Sequence, residues 1–123
     1  MRHITLVLLL LIHLAGQAQD AAPIPNFQGT DKQKADTLFS LARKNFRGFR
    51  FDSAEYWLNR GQYYADRTRD DETIARYYIE KGNLMYMKGK FEEGITLLHK
   101  ARPYLAGISS YDLHNSAFMI TGN

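Results

Sequence analysis

Small and apolar residues recur at steps of three and four between residues 75 and 102, in two runs that a short polar turn separates. They are Ala75, Tyr78, Gly82, Met85 and Tyr86 in the first run, and Phe91, Ile95, Leu98 and Ala101 in the second. This step places the members of each run on one face of an α-helix. The turn contains Gly89, and glycine adopts the left-handed conformation that ends many helices without steric cost. The pattern predicts an antiparallel helix pair whose apolar faces need further helices to cover them.

The same segment resembles a tetratricopeptide repeat (TPR). The matching positions, mostly packing and turn residues, are Gly82, Asn83, Leu84, Tyr86, Gly89, Lys90, Phe91, Glu92, Glu93, Gly94, Ile95, Leu98 and Ala101. Two residues depart from the family's pattern, since Lys81 replaces a usual leucine and Gly94 replaces a usual alanine. Glycine in a helix interior is about 1 kcal/mol less favourable than alanine, so we expect Gly94 to weaken its helix.

A period of 40 residues relates this segment to the chain on either side of it. The first shift gives the aligned pairs Asp31–Asp71, Ala35–Ala75, Ala42–Gly82, Phe51–Phe91 and Leu58–Leu98. A second shift aligns Phe118 with Tyr78 and Asn123 with Asn83. The shortest TPR period is about 34 residues, and longer units of this kind resemble the TPRs of bacterial signalling and regulatory proteins. We expect an all-α fold, an antiparallel helix-hairpin (TPR-like) α-solenoid of about two and a third repeats.

Residues 1–18 are a predicted secretory signal peptide. A basic start precedes an apolar run over residues 4–14, and residues 16–18 supply the small side chains of a cleavage site. The apolar run is shorter than the ~20 residues that cross a bilayer as a helix, and an uncleaved anchor is the alternative interpretation. The chain has no cysteine to carry a lipid, which excludes a lipoprotein. We expect an exported protein of the periplasm or cell envelope.

The remaining chain divides into a linker over 19–30, a first repeat over 31–70, a second over 71–110, and the first helix of an incomplete third over 111–123. That last helix carries Phe118, Met119 and Ile120 with no second helix to cover them. Repeat arrays have polar terminal caps, and they generally need about three repeats for stability. We therefore expect a truncated sequence that begins a longer protein. The alternative is a dimer formed through the exposed last helix.

The helix boundaries of the first repeat follow from capping residues. Thr30 or Asp31 is the expected N-cap of a helix over residues 32–47. Gly48 is expected to turn the chain, and Asp52 or Ser53 to cap the second helix.

No catalytic constellation is present in the sequence. His99 and His114 are isolated, without acidic residues at the spacing of a known metal site. Glu92 and Glu93 are typical of the solvated start of a helix, where the helix dipole favours negative charge. The formal net charge of +3 is too small to indicate a nucleic-acid partner. We expect a chain that is not an enzyme, with no cofactor, no metal and no nucleic-acid binding.

In TPRs the first helices of successive repeats line a concave groove that holds extended or helical peptides. The resemblance implies that the groove side chains here are Asp36, Phe39, Arg43, Phe46, Arg47, Arg76, Ile79, Asn83, Tyr86 and Met87. An asparagine amide both donates and accepts hydrogen bonds, and Arg43 and Arg76 can pair with a carboxylate. The alternative is that these polar side chains are simply solvated. The paired lysine and asparagine pattern of carboxylate-clamp TPRs is incomplete in this chain.

The predicted function is a non-catalytic module of an exported protein that binds a protein or peptide partner. A signal peptide, a short linker and long repeats resemble the front end of bacterial envelope signalling proteins. In those, a periplasmic TPR sensor precedes a membrane span and either a histidine kinase or a DNA-binding regulator. A membrane connection would come only through a downstream segment. The alternative is a structural adaptor in envelope assembly or polymer uptake.

Overall fold

The computed structural model describes residues 27–107 of the chain. Over this range the fold consists of four α-helices: α1 (Asp31–Arg47), α2 (Phe51–Thr68), α3 (Asp71–Met87) and α4 (Phe91–Leu105). Helices α1 and α2 form one antiparallel hairpin, α3 and α4 form the next, and α3 packs against both helices of the first hairpin. The described residues contain no strand. The predicted all-α helix-hairpin solenoid is therefore confirmed.

The two hairpins follow the period that the sequence predicts. Helix α3 begins 40 residues after α1, and α4 begins 40 residues after α2. The signal peptide, most of the linker and the helix of a third repeat lie outside the described residues, so these stay predictions. None of the four helices is long and apolar enough to cross a membrane.

Side-chain caps fix the starts of the first helix of each hairpin. Thr30 Oγ1 accepts from the backbone N–H of Gln33 at 3.2 Å, and Gln33 Oε1 accepts from the Thr30 N–H at 2.9 Å, which forms a capping box. A carboxylate oxygen of Asp70 accepts from the backbone N–H of Thr73 at 3.0 Å and from its hydroxyl at 2.6 Å. Of the two predicted N-caps for α1, Thr30 is the one confirmed.

The turn between α1 and α2 corrects one prediction. Helix α2 begins at Phe51 with Arg50 at its N-cap and no side-chain cap, so the prediction of Asp52 or Ser53 was wrong. Gly48 lies in the turn, as predicted, with an ordinary φ of −86°, and Phe49 after it takes the left-handed conformation with a φ of 59°. Gly89, 40 residues later, has a φ of 83°. In both turns the left-handed residue lets the following N–H close an equivalent hydrogen bond. The Arg50 N–H donates to the Asn45 carbonyl and the Lys90 N–H donates to the Met85 carbonyl, both at 2.9 Å.

Two apolar clusters form the core. The larger joins the buried faces of α1 and α2 to α3, and its buried members are Ala35, Leu38, Phe39, Ala42, Ala54, Leu58, Tyr64, Ala65, Tyr77, Leu84 and Met85. The smaller joins α3 to α4 through Ala75, Ile79, Leu98, Ala101 and Leu105. Helix α3 contributes to both clusters, and it is therefore the element that holds the two hairpins together.

Lys81, which departs from the TPR pattern, is part of a polar contact between α2 and α3. The residue is 9% exposed, its ammonium donates to Asn59 Oδ1, and it pairs with Glu55 at 3.4 Å. Lys88 joins the same group through Glu55 at 2.7 Å and Asp52 at 3.1 Å. A buried ammonium needs such partners because desolvation of a charge is costly. The usual leucine is thus replaced by an ionic connection between repeats.

Candidate functional site

Helices α1 and α3, the first helices of the two hairpins, lie against each other. The ring centroids of Phe39 and Tyr77 are 6.4 Å apart, and Arg43 Nε lies 3.4 Å from Glu80 Oε1. Phe39 and Tyr77 are buried, whereas the side chains of Arg43 and Glu80 are 38% and 24% exposed. The seam between α1 and α3 therefore has an apolar floor and a charged upper edge.

We call the accessible positions along this seam the groove row. Its members are partly or fully exposed and follow one another at steps of four, three and four, as the neighbours on one helix face do. They are Asp36, Ser40, Arg43 and Arg47 on α1, and Arg76, Glu80, Asn83 and Met87 on α3.

Four of the predicted groove residues, Phe39, Phe46, Ile79 and Tyr86, are not in this row, and two of them are buried. Phe39 is fully buried and Ile79 is 2% exposed, so neither side chain is accessible to a ligand. Phe39 packs in the cluster between α1 and α2, and Ile79 packs in the cluster between α3 and α4. Neighbouring residues on a helix point about 100° apart, and an error of one position therefore exchanged Ile79 for Glu80.

Arg43 pairs with the carboxylate of Glu80, and the positive charges of Arg47 and Arg76 also act on it. Burial raises the pKa of Glu80, and the positive charges of Arg43, Arg76 and Arg47 oppose that rise. Arg76 also pairs with Glu72 on its own helix, with 3.4 Å between Nη2 and Oε1. With Asp36, which also belongs to the row, three carboxylates and three guanidinium groups lie in this region, and their charges balance.

Three buried polar atoms along the row have no hydrogen-bond partner: Arg43 Nε, Arg76 Nε and Asn83 Oδ1. The contact between Arg43 Nε and Glu80 is an ion pair by distance, but its geometry does not make it a hydrogen bond. An unsatisfied buried donor or acceptor costs about 1–3 kcal/mol. Two donors and one acceptor along the row are therefore covered by the protein without a hydrogen bond to offset their burial.

The other predicted groove residues lie near the turns. Phe46 is half-buried, with its ring centroid 5.7 Å from that of Phe51. Tyr86 is 39% exposed and packs edge-on against Phe91 at 4.9 Å, and Met87 is 51% exposed. These side chains give the C-terminal ends of α1 and α3 an apolar and aromatic character.

A surface depression of about 460 Å³ lies next to the turn of the second hairpin, lined by residues 89–93. Its side chains include Glu92 and Glu93, and it lies apart from the groove row. Within residues 27–107 no group of histidine and acidic side chains is arranged to hold a metal ion.

The groove row has two members that were not predicted, Ser40 and Glu80. Glu80 stands four residues after Arg76 and three before Asn83, so the helical step alone could have placed it in the row. The charge of Glu80 gave no signal, because a glutamate fits both a groove position and an ordinary solvated helix position.

Paired antiparallel helices at a 40-residue period, with α1 and α3 side by side, define a TPR protein. This is a non-catalytic repeat fold whose members generally bind protein partners. The family described as the SusR N-terminal TPR domain matches residues 26–106, and the chain belongs to that family. The predicted resemblance to TPRs of bacterial regulators is confirmed. Neither the curated proteins nor the solved structures contain a significant match.

Proposed function

We propose that this chain is the peptide-binding sensory part of a larger, exported envelope signalling protein, with a histidine kinase or a regulator domain downstream. The observation that carries the binding function is the groove row, whose partly exposed polar and charged side chains, among them Arg43, Arg76 and Asn83, follow the seam between α1 and α3. An extended peptide supplies alternating N–H and C=O groups and side chains of either charge, which are the partners that such side chains need.

The description of the matching family as an N-terminal domain supports a longer parent protein. The basic start and the short apolar run over residues 4–14 support export. N-terminal sequencing of the protein recovered from the periplasm tests the export, and the expected first residue is Gln19. Retention of Met1 on a membrane-bound protein would favour the uncleaved anchor. Reading the coding sequence downstream of Asn123 tests the parent protein.

The binding function is tested by site-specific photo-crosslinking in the native host. A photoreactive residue at Arg47, an exposed groove-row position, should give an adduct with a protein or peptide. The same residue at His99, exposed on α4, is the matched control and should give none. Adducts at His99 but not at Arg47 would favour the structural adaptor, which uses the outer faces of its helices.

A further inference from the structure

We propose that the turn between α1 and α2 docks on an anionic membrane surface, with the ring of Phe49 entering the lipid interface and with Lys44 and Arg50 contacting lipid phosphates. We call residues 44–51 the basic tip. This inference goes beyond the proposed peptide binding. It uses the proposed export only because export brings the chain beside the envelope membranes.

The basic tip places an aromatic ring at an exposed apex. Phe49 is 77% exposed, and its φ of 59° lies in the left-handed region that glycine adopts without steric cost. The equivalent residue of the second turn is Gly89, whose φ is 83°. Phenylalanine at this position therefore benefits neither the core nor the backbone, which indicates that its ring interacts outside the two hairpins.

Two further rings connect this apex to the core. The centroid of the Phe51 ring lies 6.2 Å from that of Phe49 and 5.7 Å from that of Phe46. Phe46 and Phe51 are partly buried against the larger core cluster. The three rings thus form one apolar row that ends at a protruding phenylalanine. A lipid interface accepts such a ring without a preformed cavity, whereas a protein partner binds a protruding anchor in a matching pocket.

The basic tip also carries positive charge that no carboxylate of its own balances, since residues 44–51 contain no acidic side chain. Lys44 and Arg50 are exposed, and neither forms an ion pair within the described part of the chain. Arg50 Nε donates to Asn45 Oδ1 at 3.0 Å, and this neutral amide leaves the guanidinium charge unbalanced. Arg47 is counted with the groove row, whose charges balance.

The carboxylates that follow the basic tip along the chain have cations of their own. Asp52 Oδ1 accepts from the Lys88 ammonium at 3.1 Å, and Glu55 pairs with both Lys88 and Lys81. Two carboxylates therefore face two ammonium groups. The two tip cations remain as an excess of positive charge beside the exposed ring.

The second turn, although it lies beside the first, lacks this combination. Its apex is Gly89, and its cation Lys90 is followed closely by Glu92 and Glu93. Of the two turns, the first therefore joins an exposed ring to a positive excess.

Charge complementarity commits the basic tip to an anionic lipid surface. Stable attachment to a membrane generally takes two signals, such as an inserted apolar group and a basic patch. Each Lys or Arg near an anionic surface strengthens binding about fivefold. Phe49 supplies the apolar group, and Lys44 and Arg50 supply the basic patch.

The test measures cosedimentation with lipid vesicles, and it uses the chain from Gln19 onward. This chain is made directly without the predicted signal peptide, which would itself bind lipid, and circular dichroism confirms its fold. Vesicles of phosphatidylcholine alone are compared with vesicles of equal parts phosphatidylcholine and anionic phosphatidylglycerol.

Two variants alter the basic tip. Phe49→Gly removes the ring and relieves the left-handed backbone, so its effect does not come from a weakened fold. Lys44→Gln/Arg50→Gln removes the two tip cations.

Two matched controls make similar changes on α4. Lys100→Gln/Arg102→Gln removes two exposed cations, and Ile95→Ala shortens an apolar side chain that is 37% exposed.

The wild type should bind the anionic vesicles at least about tenfold more tightly than the phosphatidylcholine vesicles. Phe49→Gly should lose at least about fivefold on the anionic vesicles, because the ring no longer leaves water. Lys44→Gln/Arg50→Gln should lose at least about tenfold on the anionic vesicles and should bind phosphatidylcholine as the wild type does. Both controls should bind as the wild type does.

Equal binding of the wild type to the two kinds of vesicle would overturn the inference, and so would full binding by Phe49→Gly. A loss in Lys100→Gln/Arg102→Gln equal to that of the tip variant would overturn it as well, since net charge alone would then explain the binding. Binding to neither vesicle, with photo-crosslinks from position 49 to a protein in the native host, would assign the basic tip to a protein partner. Each of these results leaves the proposed peptide binding standing, because the vesicles contain no peptide.

Discussion

Gly82 on α3 and Gly94 on α4 face each other so closely that neither position has room for a methyl group. A Cβ added to Gly94 would lie 2.8 Å from the carbonyl oxygen of Gly82, and a Cβ added to Gly82 would lie 2.9 Å from the carbonyl oxygen of Gly94. The equivalent positions of the first hairpin are Ala42 and Ala54, both buried. Gly94 is therefore required by the close crossing of α3 and α4, which its helix propensity alone did not indicate.

Replacing Gly94 with alanine should destabilise the fold. Alanine is the better helix former by about 1 kcal/mol, but overpacking a close contact typically costs about 1–3 kcal/mol. We expect a net loss of about 1 kcal/mol in the free energy of unfolding, measured by urea denaturation followed by circular dichroism. Ala54→Gly, at the equivalent position of the first hairpin, should also destabilise. A Gly94→Ala variant more stable than wild type would show that the helices separate without cost.

Replacing Phe49 with glycine should stabilise the fold. Phe49 has a φ of 59° and is 77% exposed. Its left-handed backbone is unfavourable, and burial of its side chain does little to offset this. That conformation costs a residue with a Cβ about 1–2 kcal/mol, part of which the larger entropy of unfolded glycine offsets. We expect a gain of about 0.5–1 kcal/mol in the free energy of unfolding.

The control for this prediction is Gly89→Ala in the second hairpin. Gly89 has a φ of 83° and no atom within 4 Å of an added Cβ, so any loss comes from the backbone and not from a clash. It should lose about 1 kcal/mol. A loss of stability in Phe49→Gly would mean that the contact of the Phe49 ring with Phe51, 6.2 Å between centroids, outweighs the backbone strain.

Replacing Leu98 with alanine should cost about 2–5 kcal/mol, the range for fully buried leucines. Leu98 is fully buried, and its Cγ lies 2.8 Å from where a Cβ on Gly82 would be, so it packs directly on the α3 backbone. Thermal or urea denaturation measures the effect. Ile95→Ala on the same helix is the matched control and should lose less than about 1 kcal/mol, because Ile95 is 37% exposed. Similar losses at both positions would argue against this packing.

The helices and the core were predictable because they depend on periodic patterns. The step of three and four residues identified Leu98 and Ala101 as buried, and the 40-residue period transferred the same prediction to Leu58. Each repeat must bury apolar side chains at equivalent positions, so one sequence shows the same pattern several times.

The groove residues and the left-handed turn residue were less predictable, because each depends on a single sequence position and not on a repeated pattern. Ile79 and Glu80 are neighbours on α3, and the packing of α3 against α4 covers Ile79 and leaves Glu80 in the groove row. Gly48 was expected to turn the chain and does lie in the turn, yet the closing hydrogen bond from Arg50 to Asn45 places the left-handed conformation at Phe49. The residue type of Phe49 gives no indication of that conformation.

Asp70 should make the stability of α3 depend on pH. The hydrogen bond from the Thr73 side chain lowers the pKa of Asp70 below its usual value of 3.8, and the Thr73 N–H and the charge of Lys32 act in the same direction. Between the folded and unfolded pKa values the unfolded chain binds more protons, so stability rises with pH there. The contribution is therefore complete above about pH 4 and is lost as the pH falls through the lower, folded value.

Asp70→Ala should consequently lose about 1 kcal/mol near pH 6, the typical value of an N-cap, and the gap to wild type should narrow as the pH falls below 4. Asp70→Ser keeps an oxygen that can accept from the Thr73 N–H but has no titrating group, so its stability near pH 6 should lie between those of wild type and Asp70→Ala. Urea denaturation at a series of pH values measures all three proteins. A gap between wild type and Asp70→Ala that stays constant from pH 6 to pH 2.5 would show that Asp70 caps the helix through its shape and not through its charge.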